Sequence, residues 1–204
     1  MKIQLIVIGA GDCADLIADS IDPAIIEIAG FVDEYQTGAK LRKMILSRRI
    51  QSIQDYRRYA YIISIAEPKV REKWYRTITE LGLDTINVID PTAIISRTAR
   101  IGTGNYIGKG SVINANASIG DNNMIISTAV IEHHSEIGNH TRIAPSAVIN
   151  GNTVIEDGAY IGSRACCIGD QRIGAFSTVG AGAVVLSDVP PGATVVGIPA
   201  RRIK

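Results

Sequence analysis

Aromatic rings, histidine, cysteine and charge of one sign are all scarce in this chain, and each scarcity narrows the field of functions. Aromatics make up 5% of the 204 residues, so the core has to be built from stacked aliphatic side chains. Lys plus Arg and Asp plus Glu nearly cancel, at 21 against 20. Without a basic stripe to neutralise a phosphate backbone, nucleic acid is not an expected partner. The three cysteines, Cys13 and the adjacent Cys166 and Cys167, form neither a paired framework nor a metal-type spacing. They read as small core residues of a protein kept in a reducing compartment. The apolar run from Ile3 to Ala10 is too short to span a membrane, and its Gly-Ala-Gly-Asp ending is not a cleavage site. A cytoplasmic protein with no membrane partner is therefore expected.

What the chain does have is a repeat. From Ile95 an aliphatic residue or cysteine returns every sixth position, through Ile101, Ile107, Ile113 and onward to Cys167, Ile173, Val179 and Val185. Two residues before most of these positions the chain is small, as at Ala117, Ser135 and Ala147, and glycine often follows, as at Gly102, Gly120 and Gly162. A helix needs a period near 3.6 and a half-buried strand a period of two, so a strict six means that the chain coils. Three six-residue faces, each a short strand and a turn, close a triangular coil with the aliphatic column inside. About five such coils fit between residues 95 and 185. The segment after Val185, with Pro190 and Pro191, breaks the period and is expected to cap the open end.

The first 90 residues follow another rule. "KIQLIVIGAG" reads as a buried strand entering a glycine turn, and "DCADLIADSI" has helical spacing. "IEIAGFVDE" and "YAYIISIAE" supply two more strands. Between Pro68 and Gly82 lies a helix with a proline start and a glycine end, and "DTINVID" is expected to be a fourth strand leading into the repeat. Residues 36 to 58 read as connection and weak helix. The expected architecture is a Rossmann-like α/β domain over 1–90 with a ligand crevice at its strand ends, followed by a β-helix domain over 91–204.

All three histidines, His133, His134 and His140, fall within eight residues of the repeat, in "VIEHHSEIGNH". Imidazole titrates near neutrality and suits a general base. Neither acid nor cysteine completes a metal site around them, and His-His-x5-His is not a zinc spacing, so no metal is expected.

The α/β domain, the hexapeptide repeat with "VIEHHSEIG" near its middle and the terminal "VVGIPARR" together resemble the sugar O-acyltransferase family. That family includes sialic acid O-acetyltransferases and bacterial nucleotide-activated amino-sugar N-acetyltransferases. The resemblance, which covers nearly the whole chain, implies a left-handed parallel β-helix and acetyl-CoA as co-substrate. It also implies a nucleotide-sugar or sugar acceptor, homotrimers with CoA held between neighbouring coils, and a place in polysaccharide or glycoprotein biosynthesis. It makes His133 the base and Glu132 the acid that orients the ring or raises its basicity by charge. Arg142, Gly151, Ser163 and Ala181 fall at its cofactor positions. Gly11, Asp12, Cys13, Asp33, Glu34 and Ala66 fall at its acceptor positions.

Several positions depart from the family pattern. His134 stands where an acid often follows the base, Arg142 where a second histidine is common, and Ile126 where an asparagine is. Asp12 brings negative charge to the glycine turn, and Ala66 replaces a glycine. Two readings stay open from the sequence: direct attack of an amino or hydroxyl group on the thioester with His133 as base, or a catalytically silent trimer that binds nucleotide or CoA.

Overall fold

From Val88 onward the chain lays down a two-residue strand every six residues, beginning with Val88–Ile89, Ile94–Ile95 and Arg100–Ile101. Successive strands turn onto successive faces, so residues eighteen apart stack and pair in parallel, as Met124 with Arg142 and Ile131 with Ile149. The result is a triangular left-handed β-helix. Face 1 carries Val88–Ile89, Tyr106–Ile107, Met124–Ile125, Arg142–Ile143 and their successors; face 2 runs from Ile94–Ile95 to Val184–Val185, and face 3 from Arg100–Ile101 to Arg172–Ile173. The computed structural model from which this is drawn describes residues 2–35 and 44–204.

The six-residue column fills the interior: Ile125, Ile131, Ile143, Ile149 and Ile161 are wholly buried, with Ala117, Ala129 and Ala147 where the wall bends. Small polar residues enter the same corners because a carbonyl is in reach. Ser135 Oγ donates to Asn150 O at 2.9 Å and Thr153 Oγ1 to Ile168 O at 3.0 Å, so neither hydroxyl is buried unpaired.

Each corner also holds one residue in the left-handed region, with φ between 53° and 70°, at every sixth position from Gly104 to Gly182. Asparagine and glycine tolerate this best, and His134 and His140 both occupy it. The glycines that follow the aliphatic residue serve another purpose: a Cβ on Gly162 would lie 2.5 Å from the Ala181 nitrogen of the next coil. Close approach of stacked coils, not turn geometry, requires glycine there.

Beyond Val185 the two prolines do not end the coil. Thr194–Val196 still pairs with Thr178 and Val179 on face 1, after a turn two residues shorter than the rest, and Arg201–Arg202 then pairs antiparallel with it. That reversed strand covers the edge that would otherwise template another chain.

In the N-terminal unit, β1 (Ile3–Ile8), α1 (Asp12–Asp19), β2 (Ile26–Val32), β3 (Ile45–Ser47), β4 (Ala60–Ile63) and α2 (Pro68–Glu80) form a parallel sheet of order β3-β2-β1-β4. Two expectations are corrected. "DTINVID" touches this sheet only through a bridge from Thr85 to Tyr61, and its Val88–Ile89 is the first strand of face 1. The fourth sheet strand is Ile45–Ser47, within the segment read as connection and weak helix. Residues 36–43 of that segment lie outside the described residues, and two short 3-10 turns fill much of the rest.

Alternation along β1 explains how the two units join. Leu5 and Val7 pack with Ala14 and Ile17 of α1 against Tyr106, Met124 and Ile126 of the coil, while Ile6 and Ile8 pack under Trp74 and Ile78 of α2. Ile126, one of the departures from the resembled pattern, is thus part of this shared core. Polar pins surround it. The Ser20 hydroxyl donates to Asp90 Oδ2 at 2.7 Å, the Tyr106 hydroxyl to Leu16 O at 3.2 Å, and Lys109 pairs with Asp19. On the α2 side, Tyr75 donates to Asp121 Oδ2 at 3.0 Å and lies edge-on to the His140 ring, whose Nδ1 accepts from Asn122 Nδ2 at 2.8 Å.

Replacing the wholly buried Ile143 by alanine is expected to cost about 2–5 kcal/mol in denaturant unfolding, because a coil cannot collapse around the void. His140 generates a pH effect. Burial and then the neighbouring Arg71 charge hold its pKa below the ordinary 6.5, outweighing Glu72, Asp157 and Asp121. The folded state therefore binds fewer protons than the unfolded one just below that pH. Stability is full above 6.5 and should decline as pH falls through and below it, until the folded-state pKa is passed. Unfolding curves at several pH values should show that decline in the wild type and less of it in His140→Gln.

Candidate active site

The corner from face 2 to face 3 carries His133 and His134, both exposed. The His133 ring lies across Gly151, eighteen residues on: a Cβ at Gly151 would come within 2.5 Å of its Cε1 and 2.8 Å of its Nε2. Gly169 follows one coil further, so the strip beside the imidazole is bare backbone. Nδ1 of His133 sits 3.2 Å from Nδ1 of His134, whose Nε2 is 3.1 Å from the Asn116 side-chain amide. The two rings meet edge to face, with centroids 5.4 Å apart. Two facing ring nitrogens share a hydrogen bond only when one of them carries the proton, so the tautomers of His133 and His134 are tied together. Glu132, expected to orient the base, has no hydrogen bond or ion pair to the ring among the described residues; His134 takes that place.

The other cofactor positions lie elsewhere on the wall. Ser163 and Ala181 stack at the corner from face 1 to face 2, where Gly182 N donates to Ser163 O at 2.8 Å. Arg142 projects from face 1 and lays its guanidinium over the Tyr160 ring, 5.1 Å from the centroid. It lines a pocket of about 310 Å³ with Ala66, Pro68, Lys69, Phe176 and Ser177, at the seam with the α/β unit. Within one chain, then, His133 and Gly151 meet, while Arg142 belongs with Ala66.

The acceptor positions converge. Gly11 precedes α1, which Asp12 and Cys13 open, Asp33 and Glu34 follow β2, and Ala66 follows β4, all at the C-terminal edge of the sheet. This edge flanks β1, where the strand order reverses, the usual crevice of such sheets. Asp33 is partly spent on local structure: its Oδ2 accepts from Ala10 N at 2.7 Å and its Oδ1 from Tyr35 N at 2.9 Å, which shapes the glycine turn. Beside it a cleft of about 230 Å³ is lined by Gly9, Glu34, Ile65, Val70 and Trp74.

Two residues that the sequence did not single out contribute. Asn116 closes the chain of contacts to His133, and an eighteen-residue step back from His134 would have found it. Arg71 is wholly buried, with Nε and Nη1 unpaired and Nη2 only 3.5 Å from Asn122 Oδ1. Burial pulls its pKa down to about 9, with Arg142 adding to the drop and Cys13 opposing it, which still leaves a cation at neutral pH. Among the described residues no cluster of three or more His, Cys, Asp or Glu side chains is placed to hold a metal, and no helix is long and apolar enough to cross a membrane.

Comparison with known proteins gives the geometry a context. The family model of the PglD N-terminal domain matches residues 4–78, and that of the bacterial transferase hexapeptide (six repeats) matches 116–151. PerB from Caulobacter crescentus, solved with CoA and GDP-perosamine, is 27% identical with a TM-score of 0.92, over 98% of this chain and 97% of that one. The acetyltransferase domain of PglB from Neisseria gonorrhoeae, solved with acetyl coenzyme A, is 25% identical with a TM-score of 0.91, over the whole of both chains. WeeI from Acinetobacter baumannii is 29% identical with a TM-score of 0.89, over 99% of this chain and all of that one. An uncharacterised protein of Acanthamoeba polyphaga mimivirus is 30% identical over 108 residues, which are 53% of this chain; the match spans only 22% of the viral protein.

Gly151→Ala tests the packing of the His133 ring. The new methyl group must push the exposed ring aside, so the expected result is a roughly tenfold or larger loss of any His133-dependent activity with thermal stability nearly unchanged.

Proposed function

We propose that the chain is a hexapeptide-repeat sugar acyltransferase, joining a PglD-type N-terminal domain to a β-helix, and that it transfers the acetyl group of acetyl-CoA to an amino group on a nucleotide-linked sugar. The observation that carries this is the His133 imidazole, held across Gly151 with Nδ1 against His134 and its other nitrogen beside bare backbone.

In the base-competent tautomer, His133 Nδ1 donates to His134 Nδ1, and His134 Nε2 donates to the Asn116 amide oxygen, the amide being turned accordingly. Nε2 of His133 then accepts the proton of the acceptor amine as its nitrogen bonds to the thioester carbon. Backbone N–H groups of the rigid corner serve the developing oxyanion. As the tetrahedral adduct collapses, the carbon–sulfur bond breaks and the CoA thiolate takes a proton back from the imidazolium. The matched motif pairs no serine or cysteine with the base, which favours direct attack over an acyl-enzyme. Glu132 contributes charge near the ring.

Residues 1–90 receive the acceptor in this reading, through Gly11, Asp12, Cys13, Asp33, Glu34 and Ala66, and 91–204 receive CoA along Gly151, Ser163 and Ala181. Because Ser163 and Ala181 occupy a different corner from His133, the site is completed only when a neighbouring coil docks. This supports a homotrimer with three sites at its contacts. The reaction draws on cytoplasmic acetyl-CoA and feeds surface-polysaccharide or glycoprotein assembly.

Thiol release from acetyl-CoA, assayed with nucleotide-linked amino sugars and with free sialic-acid-type sugars, tests the proposal. His133→Ala is expected to lower acceptor-dependent release about 10²–10⁴-fold. His134→Ala should cost less and alter the pH–rate profile, with partial rescue by His134→Asn, which still offers an acceptor. Equal release by wild type and His133→Ala would reject His133 as the base, and no release across the panel would favour the silent trimer.

A further inference from the structure

The seam pocket between the two units is lined by two cations and one carboxylate, so positive charge is in excess there. Arg142 makes no side-chain hydrogen bond or ion pair among the described residues, and its Nε is buried and unpartnered. Tyr160 supports it from one side only. Lys69 reaches into the same space with its ammonium 5.9 Å from the Phe176 centroid. Ser177, 1% exposed, lines the pocket and has a buried hydroxyl without a partner. Behind them lies the wholly buried guanidinium of Arg71, close enough to be affected by the Arg142 charge. The one carboxylate in the lining, Glu67, turns back to cap α2 by accepting from Val70 N at 2.7 Å.

The two helices whose N-termini face the strand-end crevice differ in charge. The first turn of α1 carries Asp12 and Asp15, which oppose an anionic ligand. The thirteen-residue α2 has no acid in its first turn, and Lys69 lies there. Two cations set against rings and buried donors without acceptors make a site for an anion.

We propose that the seam pocket lined by Arg142, Lys69 and Ser177 binds an anionic group of the acceptor, a phosphate or a carboxylate, in place of the glycine turn before α1. The word acceptor rests on the transferase reading; the anion site does not. Arg142 then serves the sugar side of the reaction rather than a CoA phosphate.

The experiment is calorimetric titration of the full chain at low ionic strength, without acetyl-CoA, using inorganic pyrophosphate in one arm and glucuronate in the other. Saturable binding of at least one anion is expected, and the arm that binds names the group. Arg142→Met, which keeps bulk against Tyr160, and the exposed Lys69→Met should each weaken it about tenfold or more, while Arg97→Met, an exposed cation outside the pocket, should not. Unfolding midpoints of the variants, matched to wild type, separate lost binding from lost structure. No saturable binding of either anion up to about 10 mM, or binding that both Met variants leave unchanged, overturns the proposal. Displacement of the bound anion by adenosine 3′,5′-bisphosphate would assign the site to the cofactor and overturn it as well. Absence of acetyl transfer with anion binding intact would count against the transferase reading alone.

Discussion

Parallel pairing between residues eighteen apart is the constraint on which everything else in this molecule rests. Each two-residue strand is too short to hold together by itself. It persists because its backbone is bonded to the coil on either side and its inward side chain joins a continuous aliphatic column. Corners repeat for the same reason. A left-handed residue at every sixth position and a glycine where coils approach closely are consequences of closing three faces at a fixed step.

That regular wall accounts for the placement of the histidines. His133 stands at a corner where the next two coils offer glycine, so its ring has a floor without a side chain beneath it. His134 is in the left-handed position of the same corner, which turns its ring toward both His133 and Asn116. His140, six residues later, occupies the equivalent place at the next corner and meets Asn122, Tyr75 and Arg71 instead. Identical backbone geometry thus gives two histidines different surroundings: His134 is exposed, while His140 is half-buried beneath α2, where burial lowers its pKa.

Most of this was legible in the sequence wherever a period was long enough to be unambiguous. The six-residue step announced the coil, and the apolar runs around Leu5, Phe31 and Ile62 announced the parallel sheet. Ile45–Ser47 escaped because a three-residue edge strand has no alternation to read, and Val88–Ile89 was assigned to the wrong sheet because a short apolar run does not say which neighbour it will pair with. The motif pointed to His133, whereas Asn116 is visible only when the chain is read in steps of eighteen. Arg71 was hidden by its charge, although it shares the buried stripe of α2 with Trp74 and Ile78 at helical spacing. The seam pocket draws on residues from 66 to 178, and nothing in a linear reading brings those together.

The fixed step also governs how such a wall can change over evolutionary time. Position around the triangle is a residue's number modulo eighteen. Inserting six residues after Ile119 would carry every later side chain onto the next face, parting His134 from Asn116 and lifting Arg142 out of the seam with the α/β unit, although the coil itself would stay well formed. A gain or loss of eighteen keeps every side chain on its own face and leaves contacts on either side of the cut intact, while those that cross it are displaced by one coil. Chemistry on this scaffold is therefore revised one side chain at a time or one whole turn at a time, and the lengths between are closed to it.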